Sequence, residues 1–71
     1  MKTISITTEY IKLQDLLKLS GMVSTGGEAK LRIQSGEISV GGEICTMRGK
    51  KIRPGDEVVV MGQHLTVAYE A

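Results

Sequence analysis

The fold of this chain is decided between residues 24 and 43, where the sequence reads Ser24-Thr25-Gly26-Gly27-Glu28-Ala29-Lys30 and then Gly36-Glu37-Ile38-Ser39-Val40-Gly41-Gly42-Glu43. The first run predicts a helix start, because the hydroxyl of Ser24 or Thr25 can accept from a backbone N–H of the first turn. Gly36 ends this helix. The second run alternates apolar and polar residues, which predicts a strand, and Gly41-Gly42 is a strong signal for a two-residue hairpin.

The helix predicted here has two distinct faces. Ala29 and Ile33 share the inward face, whereas Lys30 turns away from it. The helix dipole favours Glu28 in the first turn. Glu28 and Arg32 are four residues apart and can pair on the surface, where such a pair contributes about 0.3–0.5 kcal/mol.

A first helix and an edge strand precede this stretch. The run Leu13-Gln14-Asp15-Leu16-Leu17-Lys18-Leu19 carries leucines at the spacing of one helical face, which predicts a helix from about Leu13 to Ser20. Gly21 ends it, because glycine enters the left-handed conformation at little cost. Thr3 to Ile6 alternate β-branched and polar residues and predict a short edge strand.

Strands follow the hairpin signal. Glu43-Ile44-Cys45 continues the hairpin, and Arg53-Pro54-Gly55-Asp56 predicts a turn. Residues 57–61 form a valine-rich strand, which Gly62-Gln63 reverses into a last strand over residues 64–69. The elements together predict an α+β fold, with two helices packed on a small, mainly antiparallel sheet.

Length and composition indicate one globular domain over residues 1–71. The chain has 71 residues, of which 41% are hydrophobic and 24% are charged, and this is too apolar for a disordered tail. Cys45 is the only cysteine, so no intramolecular disulfide is available. Residues 1–6 show no signal sequence, and no stretch approaches membrane-spanning length. We therefore expect a soluble cytoplasmic protein without a membrane partner.

Positive charge is concentrated locally, although the formal net charge is only +1. The stretch from Ile44 to Gly55 contains four cations and no acid. These cations are Arg48, Lys50, Lys51 and Arg53. By charge pattern alone, they form either a phosphate-binding surface or a solvated loop that keeps a sheet edge soluble.

The order and spacing of these residues resemble the S4 RNA-binding domain. The resemblance covers roughly residues 8–70 and includes the small stand-alone bacterial S4-like proteins of the YbcJ type. It is carried by Leu16-Leu17-Lys18, Gly21, Ser24-x-Gly26-Gly27-x-Ala29-Lys30, Gly36-x-Ile38-x-Val40-x-Gly42 and Arg48-x-x-Lys51-Ile52-x-x-Gly55-Asp56-x-Val58. It implies an S4-like (alpha-L) domain that binds structured RNA, ribosomal or transfer RNA, with ribosome-associated or RNA-processing proteins as further partners.

The expected RNA-binding residues come from two regions of the chain. They are Ser24, Thr25, Gly26, Gly27 and Lys30 of the second helix, and Arg48, Lys50, Lys51 and Arg53 of the basic stretch. Many S4 domains carry an arginine after the capping serine and an asparagine in the hairpin turn, where this chain has Thr25 and Gly41. Binding is therefore expected to depend on backbone N–H groups, which glycines leave accessible to a phosphate, and on the later cations.

Several alternatives remain open in the sequence. Gly26-Gly27 can also be a plain junction between a loop and a helix, and Leu31 can cover a second core edge or be an exposed apolar contact. Tyr10 and Tyr69, the only aromatic residues, are expected to pack in the structure rather than stack on bases. A protein-interaction module without direct RNA binding is the alternative function, because an open sheet edge can accept another strand.

Catalysis, metal binding and cofactor binding have little support. Cys45 and His64 could act together only if the fold brought them within hydrogen-bond reach, and no third orienting group is evident. One cysteine and one histidine leave most of a zinc coordination sphere unfilled. Gly26-Gly27 lacks the Gly-Lys-Ser/Thr of a nucleotide-binding loop. We expect no catalytic residue, metal, cofactor or small-molecule substrate.

Overall fold

The computed structural model describes residues 2–70, which form two helices and seven strands. In chain order the elements are β1 (Lys2–Ile6), β2 (Ile11–Lys12), α1 (Leu13–Leu19), α2 (Gly26–Gln34), β3 (Ile38–Val40), β4 (Glu43–Ile44), β5 (Lys51–Ile52), β6 (Glu57–Val60) and β7 (Gln63–Tyr69). Both predicted helices are confirmed. Helix α1 ends with Ser20 as its C-cap, and Gly21 follows with φ +81°.

The start of α2 is built by three polar side chains. Thr25 is the N-cap, and its Oγ1 accepts a hydrogen bond of 3.1 Å from the Glu28 N–H. The Glu28 carboxylate in turn accepts from the Ser24 N–H at 3.0 Å. This reciprocal arrangement satisfies donors that the helix cannot pair itself. Gly36, with φ +83°, ends the helix as predicted.

The predicted pair of Glu28 with Arg32 is wrong. Glu28 is turned toward the helix start, where it caps Ser24. Arg32 instead pairs with Glu37 beyond the end of the helix, with 3.3 Å between Nη1 and Oε1. The hydrogen bond from the Ser24 N–H to the Glu28 carboxylate is therefore favoured over an exposed ion pair with Arg32.

The main sheet has five strands in the order β1-β7-β6-β3-β4. Its pairings are antiparallel except for β1, which runs parallel to β7 at one edge. This confirms the mainly antiparallel sheet and the edge strand near Thr3. Gly41 and Gly42 both have positive φ, and they connect β3 to β4 as the two-residue hairpin that was predicted.

Two features of the strands differ from the prediction. The last reversal lies at Met61-Gly62, because Val60 pairs with Gln63, so the turn is one residue earlier than expected. Met61 has φ +48°, which is uncommon for a residue other than glycine. The strands β2 and β5 were not predicted, and they form a separate two-stranded antiparallel sheet.

The core lies between the helices and one face of the main sheet. Both helices contribute residues that are fully buried, as do the alternating positions of β3, β6 and β7. The core residues are Ile4, Ile6, Leu13, Leu16, Leu17, Val23, Ala29, Ile33, Ile38, Ile52, Val58, Val60, Leu65 and Val67. Ile52 joins this core from β5 and so anchors the basic stretch to the folded body.

Candidate nucleic-acid interface

The basic stretch is bound to the first turn of α1 by backbone hydrogen bonds. The Leu13 N–H donates to the Lys50 carbonyl at 2.9 Å, and the Gln14 N–H donates to the Arg48 carbonyl at 3.1 Å. Pairing of β2 with β5 then places Lys12 directly opposite Lys51. The loop and the helix start are therefore held together, which brings four cationic residues to neighbouring backbone positions. We call these residues the cationic cluster: Lys12, Arg48, Lys50 and Lys51.

The side chains of the cationic cluster are available to a partner. All four residues are exposed. The salt bridges found within residues 2–70 are Asp15–Lys18, Arg32–Glu37 and Glu57–His64, so no carboxylate neutralises a member of the cluster. Asp15 is in the first turn of α1, but it is directed to Lys18, 3.6 Å away. The cluster thus presents unneutralised positive charge to solvent.

Tyr10 contacts one member of the cluster. The ammonium of Lys51 lies 5.0 Å from the centroid of the Tyr10 ring, which is within the range of a cation–π contact. Tyr10 is half-buried just before β2. Tyr10 therefore packs in the structure, and its ring also supports the ammonium of Lys51.

Arg53 lies at the end of the basic stretch, where it begins the predicted turn. Its N–H donates to the Asp56 carboxylate at 2.9 Å, and its carbonyl accepts from the Asp56 N–H at 3.0 Å. Gly55 completes the turn with φ +95°. The guanidinium of Arg53 takes no part in these bonds, and the residue is exposed.

The start of α2 offers two backbone donors. Gly26 and Gly27 are exposed, and within residues 2–70 their N–H groups have no hydrogen-bonded acceptor. A Cβ at Gly26 would meet nothing within 4 Å, and one at Gly27 would only touch Thr25 Oγ1 at 4.0 Å. Neither residue has a positive φ. The fold therefore does not require glycine at these positions. What the two glycines provide is an uncovered backbone that a ligand can approach closely.

The predicted site residues thus fall into two groups. The backbone of Arg48 and Lys50 lies against the first turn of α1, with Lys51 next in the chain and Arg53 two residues further on. Residues 24–27 and Lys30 form a second surface on α2, and no hydrogen bond or ion pair of residues 2–70 connects this surface to the first group. Lys12 was missed by the sequence analysis, although its place immediately before the leucine-rich helix was a signal.

The remaining candidates lie apart from these surfaces. The Cys45 thiol donates to the Met47 carbonyl at 3.7 Å, whereas His64 Nδ1 lies 3.4 Å from a Glu57 oxygen, so the two side chains have different partners. Within residues 2–70 no three histidine, cysteine or acidic residues are grouped as a metal site. Neither helix of this range has the length and hydropathy needed to cross a membrane.

Comparison with known proteins identifies the family. The profile of the S4 domain matches residues 4–68. "Probable ribosome maturation protein RlbA" of Bacillus subtilis is 41% identical over 59 residues, which are 83% of this chain and 83% of that protein. YbcJ of Escherichia coli is 36% identical over 58 residues, which are 82% of this chain and 83% of that protein.

A solved structure supports the same assignment. The solution structure of Escherichia coli YbcJ, reported to reveal an alpha-L motif involved in RNA-binding, has a TM-score of 0.74 and 35% identity. The match covers 96% of this chain and 87% of that chain. The predicted S4-like α+β fold with an alpha-L motif is confirmed. The chain therefore belongs to the S4 domain family.

Proposed function

We propose that this chain is one RNA-binding domain over residues 1–71, which binds structured RNA through phosphate contacts. The observation that carries the proposal is the cationic cluster of Lys12, Arg48, Lys50 and Lys51 at the first turn of α1. Each of these cations can contact a phosphate and release the counterions that the phosphate had condensed. Binding and not catalysis is the proposed activity, so no residue is assigned a catalytic role.

Structured RNA suits this cluster because the backbone that carries the cations is held against α1. Hydrogen bonds to α1 position the backbone of Arg48 and Lys50, and the Tyr10 ring supports Lys51. Folded RNA likewise presents phosphates at fixed spacings, and proteins recognise its helices mainly by shape and by phosphate and 2′-OH contacts. A chain with two tyrosines and no other aromatic residue has little surface for stacking a run of bases.

The start of α2 is proposed as a second contact. The exposed N–H groups of Gly26 and Gly27 can donate to a phosphate, and Lys30 lies on the outward side of the same helix. Ser24 and Thr25 flank these donors, and Arg53 adds a cation beyond the cluster. Glu28 already places a carboxylate at this helix start, so we assign the larger share of the affinity to the cationic cluster.

Ribosomal RNA is the partner that we favour, with transfer RNA as the alternative. Support comes from the similarity to a protein named for ribosome maturation. On this proposal the protein acts in the cytoplasm, where these RNAs function. Ribosome-associated or RNA-processing proteins are then the further partners that we expect.

A charge-reversal experiment tests the proposal. The variant Lys50→Glu/Lys51→Glu is expected to bind a fluorescein-labelled RNA hairpin at least about tenfold more weakly in fluorescence anisotropy, because two phosphate contacts become repulsive. Lys18→Glu/Arg32→Glu is the matched control, since it changes net charge equally but reverses cations that already have carboxylate partners.

Urea denaturation verifies that both variants fold. The contacts removed are one exposed cation–π contact and two exposed ion pairs, each worth about 0.2–1 kcal/mol. Wild-type affinity in the folded Lys50→Glu/Lys51→Glu protein, or an equal loss in the control, would refute the proposed interface.

A further inference from the structure

An open groove of about 250 Å³ lies beside the cationic cluster, between β4 and the loop that follows it. Ile44 and Met47 line it, and these large apolar side chains are 70% and 66% exposed. Lys50 also lines the groove and belongs to the cluster. The groove is therefore a continuation of the proposed RNA surface and adds an apolar contact that phosphate binding alone does not need.

One tight turn places the apolar and the cationic side chains of the groove next to each other. The Lys50 N–H donates to the Met47 carbonyl at 3.1 Å, which closes the turn of residues 47–50. The same carbonyl accepts from the Cys45 thiol. Met47 and Lys50 therefore lie at the two ends of one hydrogen-bonded turn, and both line the groove.

The charges on the groove indicate what it can hold. Glu43 lines the groove together with Lys50 and, within residues 2–70, forms no salt bridge. A carboxylate disfavours a phosphate inside the groove but can accept a hydrogen bond from an amino group. The methionine thioether makes favourable contacts with aromatic rings. The groove therefore suits a neutral aromatic ring with an amino group, whose attached phosphate can contact Lys50.

We propose that this groove binds one unpaired nucleobase of the RNA, a base that carries an exocyclic amino group. Unpaired bases of loops and bulges are the parts of an RNA that can turn out of the stack. Cytosine and adenine can donate from an amino group to Glu43, whereas uracil carries an acceptor oxygen at the position of the cytosine amino group. This inference rests on the proposed RNA binding and adds the recognition of a base to the recognition of phosphates.

The test compares one RNA duplex with the same duplex containing a single bulged adenosine. The wild-type protein is expected to bind the bulged RNA about two- to tenfold more tightly, the range of a methionine–aromatic contact together with the burial of exposed apolar surface. Ile44→Ala/Met47→Ala should lose this preference and bind the plain duplex as the wild type does. Leu31→Ala is the control, because Leu31 is also 70% exposed but lies on α2.

Base identity gives a second readout. The wild-type protein should favour a bulged cytidine over a bulged uridine, and Glu43→Ala should remove that difference. Equal binding of the plain and bulged duplexes by the wild type would overturn the base site but leave the proposed function intact. A preference that persists in Ile44→Ala/Met47→Ala would also overturn it and would place the bulge elsewhere. Failure to bind either RNA would instead refute the proposed function.

Discussion

Lys12 lies directly opposite Lys51 in the antiparallel pairing of β2 with β5. Side chains at opposite positions have Cβ atoms about 4.5–5.5 Å apart, and like charges at such positions destabilise the pairing. Both lysines are exposed, and neither belongs to an ion pair of residues 2–70. A phosphate bound between or beside them would replace this repulsion with attraction, which is why the pair is central to the proposed interface.

Lys12→Glu should therefore stabilise the fold and weaken RNA binding together. The repulsion becomes an attraction of about 0.2–1 kcal/mol. The helix dipole adds to the gain, because residue 12 is the N-cap of α1. Urea denaturation measures the free energy of unfolding, and anisotropy measures RNA affinity. A stabilised variant that keeps wild-type affinity would show that Lys12 is not an RNA contact.

Tyr10 is expected to act through the lysine that it supports. Tyr10→Leu removes the ring under Lys51 and should cost about 0.5–1 kcal/mol of stability, the value of an exposed cation–π contact. RNA affinity should fall as Lys51 loses its fixed position, whereas Tyr10→Phe, which keeps the ring, should behave like the wild type. If Tyr10→Phe lost affinity as Tyr10→Leu does, the hydroxyl and not the cation–π contact would be responsible.

The glycines at the start of α2 provide a contrast between stability and binding. Gly26→Ala and Gly27→Ala fit the observed backbone and should stabilise the protein by about 0.4–1 kcal/mol, because alanine loses less entropy on folding. They should also weaken RNA binding, since the new methyl groups obstruct a phosphate. Gly36→Ala is the control: its φ of +83° makes any side chain strained, so it should destabilise the fold. Unchanged RNA affinity in both stabilised variants would remove α2 from the interface.

Met61 occupies a conformation that suits other residues better. Its φ of +48° lies in the left-handed region, which costs most L-residues roughly 1–2 kcal/mol. Asparagine is an exception, because its short polar side chain can form local hydrogen bonds there. Met61→Asn should therefore raise the free energy of unfolding by up to about 1 kcal/mol and leave RNA binding unchanged. A lower free energy of unfolding in this variant would mean that packing of the methionine side chain stabilises the fold by more than the backbone strain at residue 61 destabilises it.

Local signals explain which elements could be predicted from the sequence. The leucine spacing of α1, the caps of α2 and the glycine pair at Gly41-Gly42 act within a few residues, and the structure contains all three features. The last turn was predicted one residue too late, at Gly62-Gln63 instead of Met61-Gly62, because a methionine does not indicate a positive φ. The strands β2 and β5 have two residues each and are formed by a pairing between distant parts of the chain, which no local pattern indicates.

The candidate site was predictable to a similar extent. The acid-free stretch marked Arg48, Lys50 and Lys51, because charge composition is visible in the sequence. Lys12 stands just before the leucine-rich helix, but its position opposite Lys51 depends on the pairing of β2 with β5, which no local pattern indicates. The groove at Ile44 and Met47 was also missed, because only the fold shows that these apolar residues stay exposed.

The salt dependence of RNA binding measures how many phosphates the protein contacts. If the four residues of the cationic cluster contact phosphates, the logarithm of the affinity should fall with the logarithm of the salt concentration with a slope of about −3 to −4. Lys50→Gln/Lys51→Gln should reduce the magnitude of that slope by about 1.5–2, which corresponds to two lost contacts. A wild-type slope near zero, or an unchanged slope in the folded double variant, would show that the cationic cluster does not contact phosphates.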